Sequence, residues 1–443
     1  MKNDTTAINY FKAYGANCFG NMLNKKSWVD RSKWIDENEK DIINYTNGVL
    51  ISKAENKLLF TAFCIEYNKW LQSYNNIETS YFETHLPIQL DATCNGYQHL
   101  SLLISDYDMA KELNLVKSSK EDIPKDYYGF IILKLIDFFK NKLKSNNLSK
   151  EDKNCYKRLS RIIITRSTIK KAIMTIPYNV STLNMVKYIK EHFINICEDK
   201  NKWSIYDLIY QHKEDPNIIL SNKDIYLLAS SLREVLFSNF PRLKLLVLYL
   251  KTVAKIFNKL DLHIPWGTGS GLLVNQSYTS SEDIKLRPFS YDRSSFTLKV
   301  STGRLSGNKQ IRAFMPNLIH SLDATALALL VEYLFNTKGE FKNFYAIHDC
   351  FAVTANNVDM LIKNLKLVYV KIYSEDDYLY NLNEELIRFI KFIYGEDCFN
   401  DKTREIKVNV NDDEIKEIFP NINYVLGKEL PCDLIKDSSY LIN

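Results

Sequence analysis

Two short apolar strands that each meet an aspartate constrain this chain most, because they stand far apart in a sequence whose remaining pattern is mostly helical. The first strand is LPIQL before Asp91, and the second feature is FYAI-HD-CFAV, with Asp349 at its tip. A carboxylate in either place projects from rigid backbone. Taken alone, each aspartate also has a plain structural interpretation, in which it ends a strand or caps a turn.

The remaining segments predict a mixture of many helices and few strands. Glycines at 267, 269 and 271 and the alternating stretch SFTLKVS predict strands and hairpins over 263–306. The fold class is therefore α+β. Apolar spacing predicts helices through the first hundred residues, from Ile123 to Leu143, from about Tyr156 to Ile176, from Asp224 to Leu260 with a break at Pro241, from about Pro316 to Phe335, and from there to the C-terminus after the His-Asp turn.

Composition places the chain among globular proteins. It has 443 residues, of which 46% are hydrophobic and 25% charged, and no uninterrupted apolar run approaches a membrane span, so we expect no membrane partner. The net charge of +5 permits a nucleic-acid partner without demanding one. The 8 cysteines are scattered without a C-x-x-C pair, which favours a reduced compartment, and the first residues show no secretory or import signal.

A basic segment, TRSTIKKAIMTIPYN over 165–179, adds chemistry to the two aspartates. On a helix Arg166 and Lys170 lie on one side, and Tyr178 is about 18 Å from Arg166 at 1.5 Å per residue, roughly the length of an extended nucleoside triphosphate. Pro177 disfavours helix at the residue before it, so we expect Tyr178 at a break in the helix. Without the aspartates, a solvated basic helix would be the simpler interpretation.

Magnesium suits such a set of residues, since it prefers oxygen ligands and typically takes one or two protein carboxylates together with substrate phosphates. Two aspartates from separate strands are able to hold two Mg²⁺ ions for an in-line phosphoryl displacement.

In this order the strand aspartate, the Arg-x3-Lys-x7-Tyr helix and the His-Asp hairpin resemble motifs A, B and C of the single-subunit RNA polymerases of bacteriophages and mitochondria. The similar strings are DATCNGYQHLS (91–101), TRSTIKKAIMTIPYN (165–179), MPNLIHSLDAT (315–325) and AIHDCFAV (346–353), with weaker likeness in AYGANC and AFCIEY. The resemblance runs from about residue 8 to the end.

The resemblance implies a right-hand polymerase fold with an antiparallel palm sheet and a large helical fingers insertion. The palm would comprise 1–120 with motif A and 316–443 with motif C. The fingers would comprise 121–315, with the motif B helix at 156–185 and a β-hairpin region at 263–307.

The resemblance also assigns roles to residues. Asp91, the backbone carbonyl of Ala92 and Asp349 would bind the two Mg²⁺ ions. Catalytic Lys170 would, with Arg166, grip the triphosphate. The substrate contacts would also include Tyr178 at the sugar and base, His320 at the 2′-hydroxyl and His348 near the RNA 3′ end.

The product is expected to be RNA. Related repair-type DNA polymerases carry a glutamate five residues after the motif A aspartate, where it fills the space of a 2′-hydroxyl, and this chain has Gly96 there. They also have glutamate after His-Asp, where this chain has Cys350.

The chain departs from the family pattern at several positions. Asn179 replaces a glycine, although asparagine tolerates positive φ, and Leu183 replaces an aromatic residue. The segment WGTGSGLLVNQSY (266–278) lacks two prolines of the pattern. The hairpin that follows corresponds to the promoter-reading loop of phage members, and there we expect Arg287 and Arg293 to reach DNA; ordinary solvated charges are the alternative.

Family members carry a promoter-melting N-terminal domain and a thumb before the matching part, and the resemblance implies that this chain lacks both. The expected partners are therefore DNA template, nascent RNA, NTPs and a separate chain that supplies the missing domains. Similar open reading frames occur on linear mitochondrial plasmids of fungi, so the expected location is the mitochondrion. The alternatives are a non-catalytic nucleic-acid-binding remnant, a DNA polymerase of the repair type, or a metal-dependent hydrolase that uses Asp91, His99, His320 and Asp349.

Overall fold

The structure of the protein is a computed structural model. It describes residues 4–76, 81–117, 123–145, 148–196, 208–287, 295–336, 343–375, 377–410, 413–427 and 430–443. Of the described residues, 59% are helical, and the strands form small antiparallel sheets, so the α+β class is confirmed. The chain divides into unit 1, which contains residues 1–131, 323–375 and 429–443, and unit 2, which contains residues 132–322 and 376–428.

Unit 1 is built on aromatic packing between its first helices. A Cβ at Gly15 would lie 2.3 Å from the ring of Phe63, so only glycine fits there. This close approach lets AYGANC pack directly on AFCIEY. Phe11 and Tyr67 complete the cluster, with both rings fully buried. The helices that lie in unit 1 are α1 (Thr5–Phe19), α2 (Trp28–Glu37), α3 (Glu39–Ile43), α4 (Val49–Lys53), α5 (Lys57–Asn75), α6 (Asn95–Leu103) and α7 (Tyr107–Glu112).

The sheet of unit 1 joins the two predicted aspartate strands. Its strands are β1 (Ile88–Asp91), β9 (Phe344–Ile347) and β10 (Cys350–Val353), in the order β1-β10-β9 with antiparallel neighbours. Leu90 and Phe351 are opposite each other and buried, which fixes the register because a slip by one residue would turn both side chains to the other face. Helix α15 (Val358–Val370) follows the sheet.

Unit 2 is mainly helical. Its helices are α9 (Lys150–Leu159), α10 (Arg166–Met174), α11 (Thr182–Lys190), α12 (Asn222–Asn239), α13 (Pro241–Lys259) and α16 (Tyr378–Tyr394), and the helices α8 (Tyr127–Lys144) and α14 (Gly307–Asn336) each contain a boundary between the units. The predicted break at Pro241 is confirmed, since the proline is the first residue of α13.

Small antiparallel sheets complete unit 2. The predicted strands over 263–306 are confirmed as two hairpins. The strands are β2 (Phe193–Asn195), β3 (Ile209–His212), β4 (Ile219–Ser221), β5 (Ile264–Gly267), β6 (Leu273–Gln276), β7 (Thr279–Leu286), β8 (Phe296–Leu305), β11 (Phe399–Asn400), β12 (Glu405–Val410) and β13 (Asp413–Ile418).

Three expectations about secondary structure are wrong. The single basic helix over 156–176 is two helices, α9 and α10, because the Ser160–Thr165 stretch interrupts it. The C-terminal part is not wholly helical, since β11, β12 and β13 form a sheet. Charged and apolar residues alternate over only a few positions in these strands, which makes the strand pattern weak. The helix expected from Pro316 begins at Gly307, with the proline inside it.

Helix α14 is long and apolar enough to cross a membrane by length and composition alone. In the 18-residue window with mean hydropathy 1.5, 44% of the residues are buried within the protein. Leu318, Leu322 and Leu330 are among these buried residues.

Candidate active site

Asp91 and Asp349 lie at the same end of the unit 1 sheet. Asp91 is the last residue of β1 and is opposite Cys350, the first residue of β10. Asp91 exchanges its backbone hydrogen bonds with Asn443, at 3.1 and 2.9 Å, so its pair with Cys350 is a non-hydrogen-bonded pair with Cα atoms about 4.5 Å apart. Asp349 immediately precedes Cys350 in the sequence, so the Cα atoms of Asp91 and Asp349 lie within about 8 Å of each other.

The second aspartate is presented by a tight turn. Ile347 and Cys350 are partners across the β9–β10 hairpin, so the turn consists of His348 and Asp349. His348 adopts a φ of 53°, a left-handed conformation that few residues other than glycine, asparagine, aspartate and histidine accept readily. His348 is exposed and Asp349 is half-buried.

Negative charge is concentrated at this turn. Burial raises the pKa of the Asp349 carboxyl, and the charge of Asp323 raises it further. Burial together with the charges of Asp91 and Asp349 raises the pKa of the Cys350 thiol to about 11. A cation bound here would relieve this repulsion.

Asp323 is a carboxylate that the sequence did not single out. Its Oδ1 accepts a 2.7 Å hydrogen bond from Asn95 Nδ2, at the start of the helix that follows Asp91. The signal that would have found it is its position three residues after His320 in MPNLIHSLDAT, on the same helix.

The donor set fits magnesium. Among the described residues no group of three or more His, Cys, Asp or Glu side chains is arranged to hold a metal ion. Two carboxylates on adjacent backbone, one of them exposed, are the kind of site that Mg²⁺ occupies together with substrate phosphates. Asp91, Asp349 and the Ala92 carbonyl predicted as a ligand lie at the same end of the unit 1 sheet, where Asp91 pairs with Cys350, the residue after Asp349.

The C-terminal residues fix the backbone of Asp91 from the side opposite β10. Ala92 forms a bridge with Ile442, next to the Asp91–Asn443 pair. Gln98, which is fully buried in α6, donates to the carbonyl of Leu441 at 3.1 Å. The strand end that carries Asp91 is therefore held between two backbone segments.

Arg31 secures this C-terminal segment. The side chain is fully buried, and its Nη2 donates to Asn443 Oδ1 at 3.1 Å and to the carbonyl of Asn24 at 3.0 Å. Its guanidinium lies 4.5 Å from the ring centre of Trp28, which stacks on Tyr440. Burial lowers the pKa of Arg31 to about 10. Nothing in the local sequence WVDRSKW distinguishes this arginine from a surface residue, so sequence reasoning missed it.

The basic helix of unit 2 carries the predicted phosphate-binding residues. Arg166 is the first residue of α10 and Lys170 lies one turn later, with both side chains half-buried. Lys171, the next residue, points elsewhere: its Nζ lies 2.7 Å from Glu191 Oε1 and 4.7 Å from the ring centre of Tyr188. The two neighbouring lysines therefore have different surroundings.

Tyr178 stacks on His320. Helix α10 ends at Met174, and Thr175–Asn179 continues as turns, so Tyr178 lies beyond the helix, as Pro177 predicted. The rings of Tyr178 and His320 have centroids 5.0 Å apart and planes inclined by 30°. His320 is exposed, and its side chain makes no hydrogen bond within the described part of the chain. Two residues from separate motifs that were predicted to contact substrate thus form one pair.

Asn179 repairs a defect that Pro316 makes in α14. A proline has no N–H, so the carbonyl four residues earlier, that of Arg312, loses its helical donor. Asn179 Nδ2 donates to this carbonyl at 3.2 Å. Asn179 also adopts a φ of 54°, as its replacement of a glycine predicted. The side chain ties the end of the Tyr178 turn to the helix that carries His320.

Residues of the WGTGSGLLVNQSY segment support the same helix. Trp266 Nε1 donates to Ser321 Oγ at 3.2 Å, directly beside His320. Asn317 donates to Gln276 Oε1 at 2.9 Å, and Gln276, which is buried, donates to Gln310. The polar residues of this segment therefore hold α14 in place, a role that sequence reasoning did not assign.

The other residues that the sequence singled out are Gly96, Arg287, Arg293 and Leu183. Gly96 is buried in the first turn of α6. Arg287 is exposed immediately after β7, whereas Arg293 lies outside the described residues. Leu183 is 66% exposed.

Comparison with known proteins identifies the family. The family model described as DNA-dependent RNA polymerase matches residues 1–419. The chain belongs to this polymerase family. The resemblance to single-subunit polymerases of phages and mitochondria is thereby confirmed.

Similar relatives are polymerases from fungi. A probable DNA-directed RNA polymerase of Podospora anserina is 44% identical over 447 residues, which cover 100% of this chain and 46% of the relative. One of Neurospora crassa is 32% identical, over 91% of this chain and 43% of the relative. The mitochondrial DNA-directed RNA polymerase of Schizosaccharomyces pombe is 27% identical, over 94% of this chain and 34% of the relative. The chain spans less than half the length of these polymerases.

Proposed function

We propose that this chain is the nucleotidyl-transfer part of a DNA-directed RNA polymerase, which adds ribonucleotides from NTPs to an RNA 3′ end on a DNA template. The observation that carries the proposal is the pairing of Asp91 with Cys350, since it brings two aspartates from distant motifs to the same end of one sheet. Membership of the polymerase family supports it.

Asp91 and Asp349 would hold the two Mg²⁺ ions, with the Ala92 carbonyl as a further ligand. Bound there, the ions would stabilise charge on the attacking and leaving oxygens of an in-line displacement. The chain's own contribution is to fix the carboxylates: β10 and the C-terminal residues hold Asp91, and the His348–Asp349 turn holds the second carboxylate. His348 is exposed at that turn and is assigned to the RNA 3′ end.

Arg166 and Lys170 bind the triphosphate in this proposal. Their charges offset the negative charge that develops on the departing pyrophosphate. Tyr178 contacts the sugar and base of the incoming nucleotide. His320, whose ring is oriented by stacking on Tyr178, has ring nitrogens available to hydrogen-bond the 2′-hydroxyl.

The substrate is ribonucleotide rather than deoxyribonucleotide. The position of Gly96 lacks the glutamate that excludes a 2′-hydroxyl in the related DNA polymerases, and the buried glycine leaves no side chain to do so. His320 also discriminates against deoxyribonucleotides in this proposal, because a site built to hydrogen-bond a hydroxyl disfavours the analogue that lacks it.

We propose that residues 1–120 and 316–443 form the palm, and residues 121–315 the fingers, of a right-hand polymerase. We also propose that the protein acts in the mitochondrion, as the S. pombe relative is named to do. The hairpin β7–β8 would read promoter DNA with Arg287 and Arg293. With alanine at both positions, the slope of the logarithm of the promoter-binding constant against the logarithm of the salt concentration should become less steep by about 2.

The test is extension of an RNA primer annealed to a DNA template, with ribo- and deoxyribonucleotides compared on the same template. The proposal predicts extension that needs magnesium and prefers ribonucleotides. Preference for deoxyribonucleotides would favour a DNA polymerase, release of mononucleotides without extension would favour a hydrolase, and binding without extension would favour a non-catalytic remnant.

A further inference from the structure

A buried polar network lies beside the two aspartates of unit 1. His99 of α6, eight residues after Asp91, is fully buried. Its Nδ1 lies 2.6 Å from the hydroxyl of Tyr373. Its Nε2 finds no hydrogen-bond partner among the described residues and lies 3.9 Å from Asp323 Oδ1. A buried ring nitrogen without a partner is costly, and here it faces a carboxylate.

The same carboxylate is held by an amide whose orientation is fixed. The Tyr369 hydroxyl donates to Asn95 Oδ1 at 3.4 Å, so the amide must turn its Nδ2 toward Asp323. Asn95 is buried, and the Asp323 side chain is 20% exposed. Asp323 is therefore anchored from within the protein while part of it remains open to solvent.

This anchoring keeps Asp323 charged. Burial by itself raises the pKa of the Asp323 carboxyl, but His99 and the Asn95 hydrogen bond outweigh burial, and the pKa is lowered. Asn95, which Asp323 holds, begins α6 four residues after Asp91, so the Asp323 charge lies beside the helix start that follows the β1 aspartate. The negative potential at the predicted magnesium ligands thus comes from three carboxylates, of which the family motifs supply two.

We propose that Asp323 is a positioning residue that strengthens divalent-cation binding at Asp91 and Asp349 through its charge and its hold on Asn95, without being a ligand itself. The inference rests on the proposed function, since it assumes that the two aspartates bind magnesium. Partners of this kind around metal ligands typically contribute a factor of ten or more to metal affinity.

The experiment measures Mn²⁺ binding to the full chain by electron paramagnetic resonance, without template or nucleotide. Asp323→Asn keeps the shape and removes the charge, and we expect it to weaken Mn²⁺ binding roughly tenfold. Asp323→Glu, which keeps the charge, should stay within about threefold of the unmodified protein. Asp108→Asn removes an exposed charge from α7 of the same unit and should change nothing.

The outcomes separate the two proposals. Binding that Asp349→Asn leaves unchanged contradicts the metal role of the aspartates, and with it the proposed function. Binding that is lost in Asp349→Asn but equal in Asp323→Asn and the unmodified protein overturns the role of Asp323 alone. If Asp323→Asn does not fold, Asp323→Ala, which is smaller and buries no polar group, makes the same comparison. Equal losses in Asp323→Asn and Asp323→Glu with an unchanged melting temperature would contradict a role for the charge.

Discussion

The rings of Tyr178 and His320 stack with centroids 5.0 Å apart, although the residues belong to separate motifs. If His320 binds the 2′-hydroxyl, His320→Ala removes a hydrogen bond that only ribonucleotides make. We expect kcat/KM to fall about tenfold for ribonucleotides and to change little for deoxyribonucleotides, since one hydrogen bond contributes about 1 kcal/mol or somewhat more. Single-nucleotide extension assays measure the ratio. His85→Ala, at a side chain that is 87% exposed in unit 1, is the matched control. An unchanged ratio would remove His320 from sugar recognition.

The adjacent lysines of α10 offer a second test. Lys170→Ala should lower kcat by about a hundredfold, because it removes a cation that stabilises developing charge. Lys171→Ala should leave kcat within about twofold, since Lys171 is already engaged by Glu191 and an exposed ion pair contributes little. Steady-state extension rates at saturating NTP check both variants. Equal effects at the two positions would mean that the helix contributes only general positive charge.

The hydrogen bond from Asn179 to the Arg312 carbonyl predicts a cost for changing the side chain. Asn179→Asp tolerates the same φ but has no donor, and it turns a carboxylate toward a carbonyl oxygen. We expect a loss of about 1 to 3 kcal/mol in the free energy of unfolding, measured by urea titration. Asn179→Gly retains the backbone conformation and should lose less. If the two variants lose equal free energy of unfolding, the loss comes from the Arg312 carbonyl having no donor, and the expected repulsion between carboxylate and carbonyl is contradicted.

Arg31 predicts a local effect on the backbone of Asp91. Arg31→Met is similar in length but leaves the carbonyls of Lys26 and Asn24 and the side chain of Asn443 without their donor. We expect a loss of about 3 kcal/mol in stability. Hydrogen–deuterium exchange should accelerate in peptides that contain Asp91 and Asn443. Lys33→Met, at an exposed position on the same helix, should leave exchange unchanged. Unchanged exchange in Arg31→Met would show that the C-terminal pairing is stable without the arginine.

Several features of the site were predictable because they depend on local sequence. The His-Asp turn between two apolar strands, the helix break at Pro177 and the break at Pro241 all follow from turn chemistry and proline geometry, and the structure has each of them. Asn179 at positive φ follows from the same kind of reasoning. Such features need no knowledge of distant contacts.

Features that depend on partners far along the chain were missed. Arg31 is buried because residues from the opposite end of the sequence surround it, and nothing near it in the sequence reports this. Asp323 gains its position from Asn95 and His99, which belong to another motif. The β12–β13 pair was read as helix because its strands are short and its apolar residues few.

The central claim is that Asp91 and Asp349 hold catalytic magnesium in an RNA polymerase. Its most direct measurement is magnesium-dependent extension of a preannealed RNA primer on a DNA template, by the unmodified protein and by Asp349→Asn at matched concentration. We predict that the unmodified protein extends the primer with ribonucleotides and that the variant, folded to the same melting temperature, is slower by at least a hundredfold, because the loss of a metal ligand removes charge stabilisation worth several kcal/mol. Equal extension by the two proteins would contradict the account.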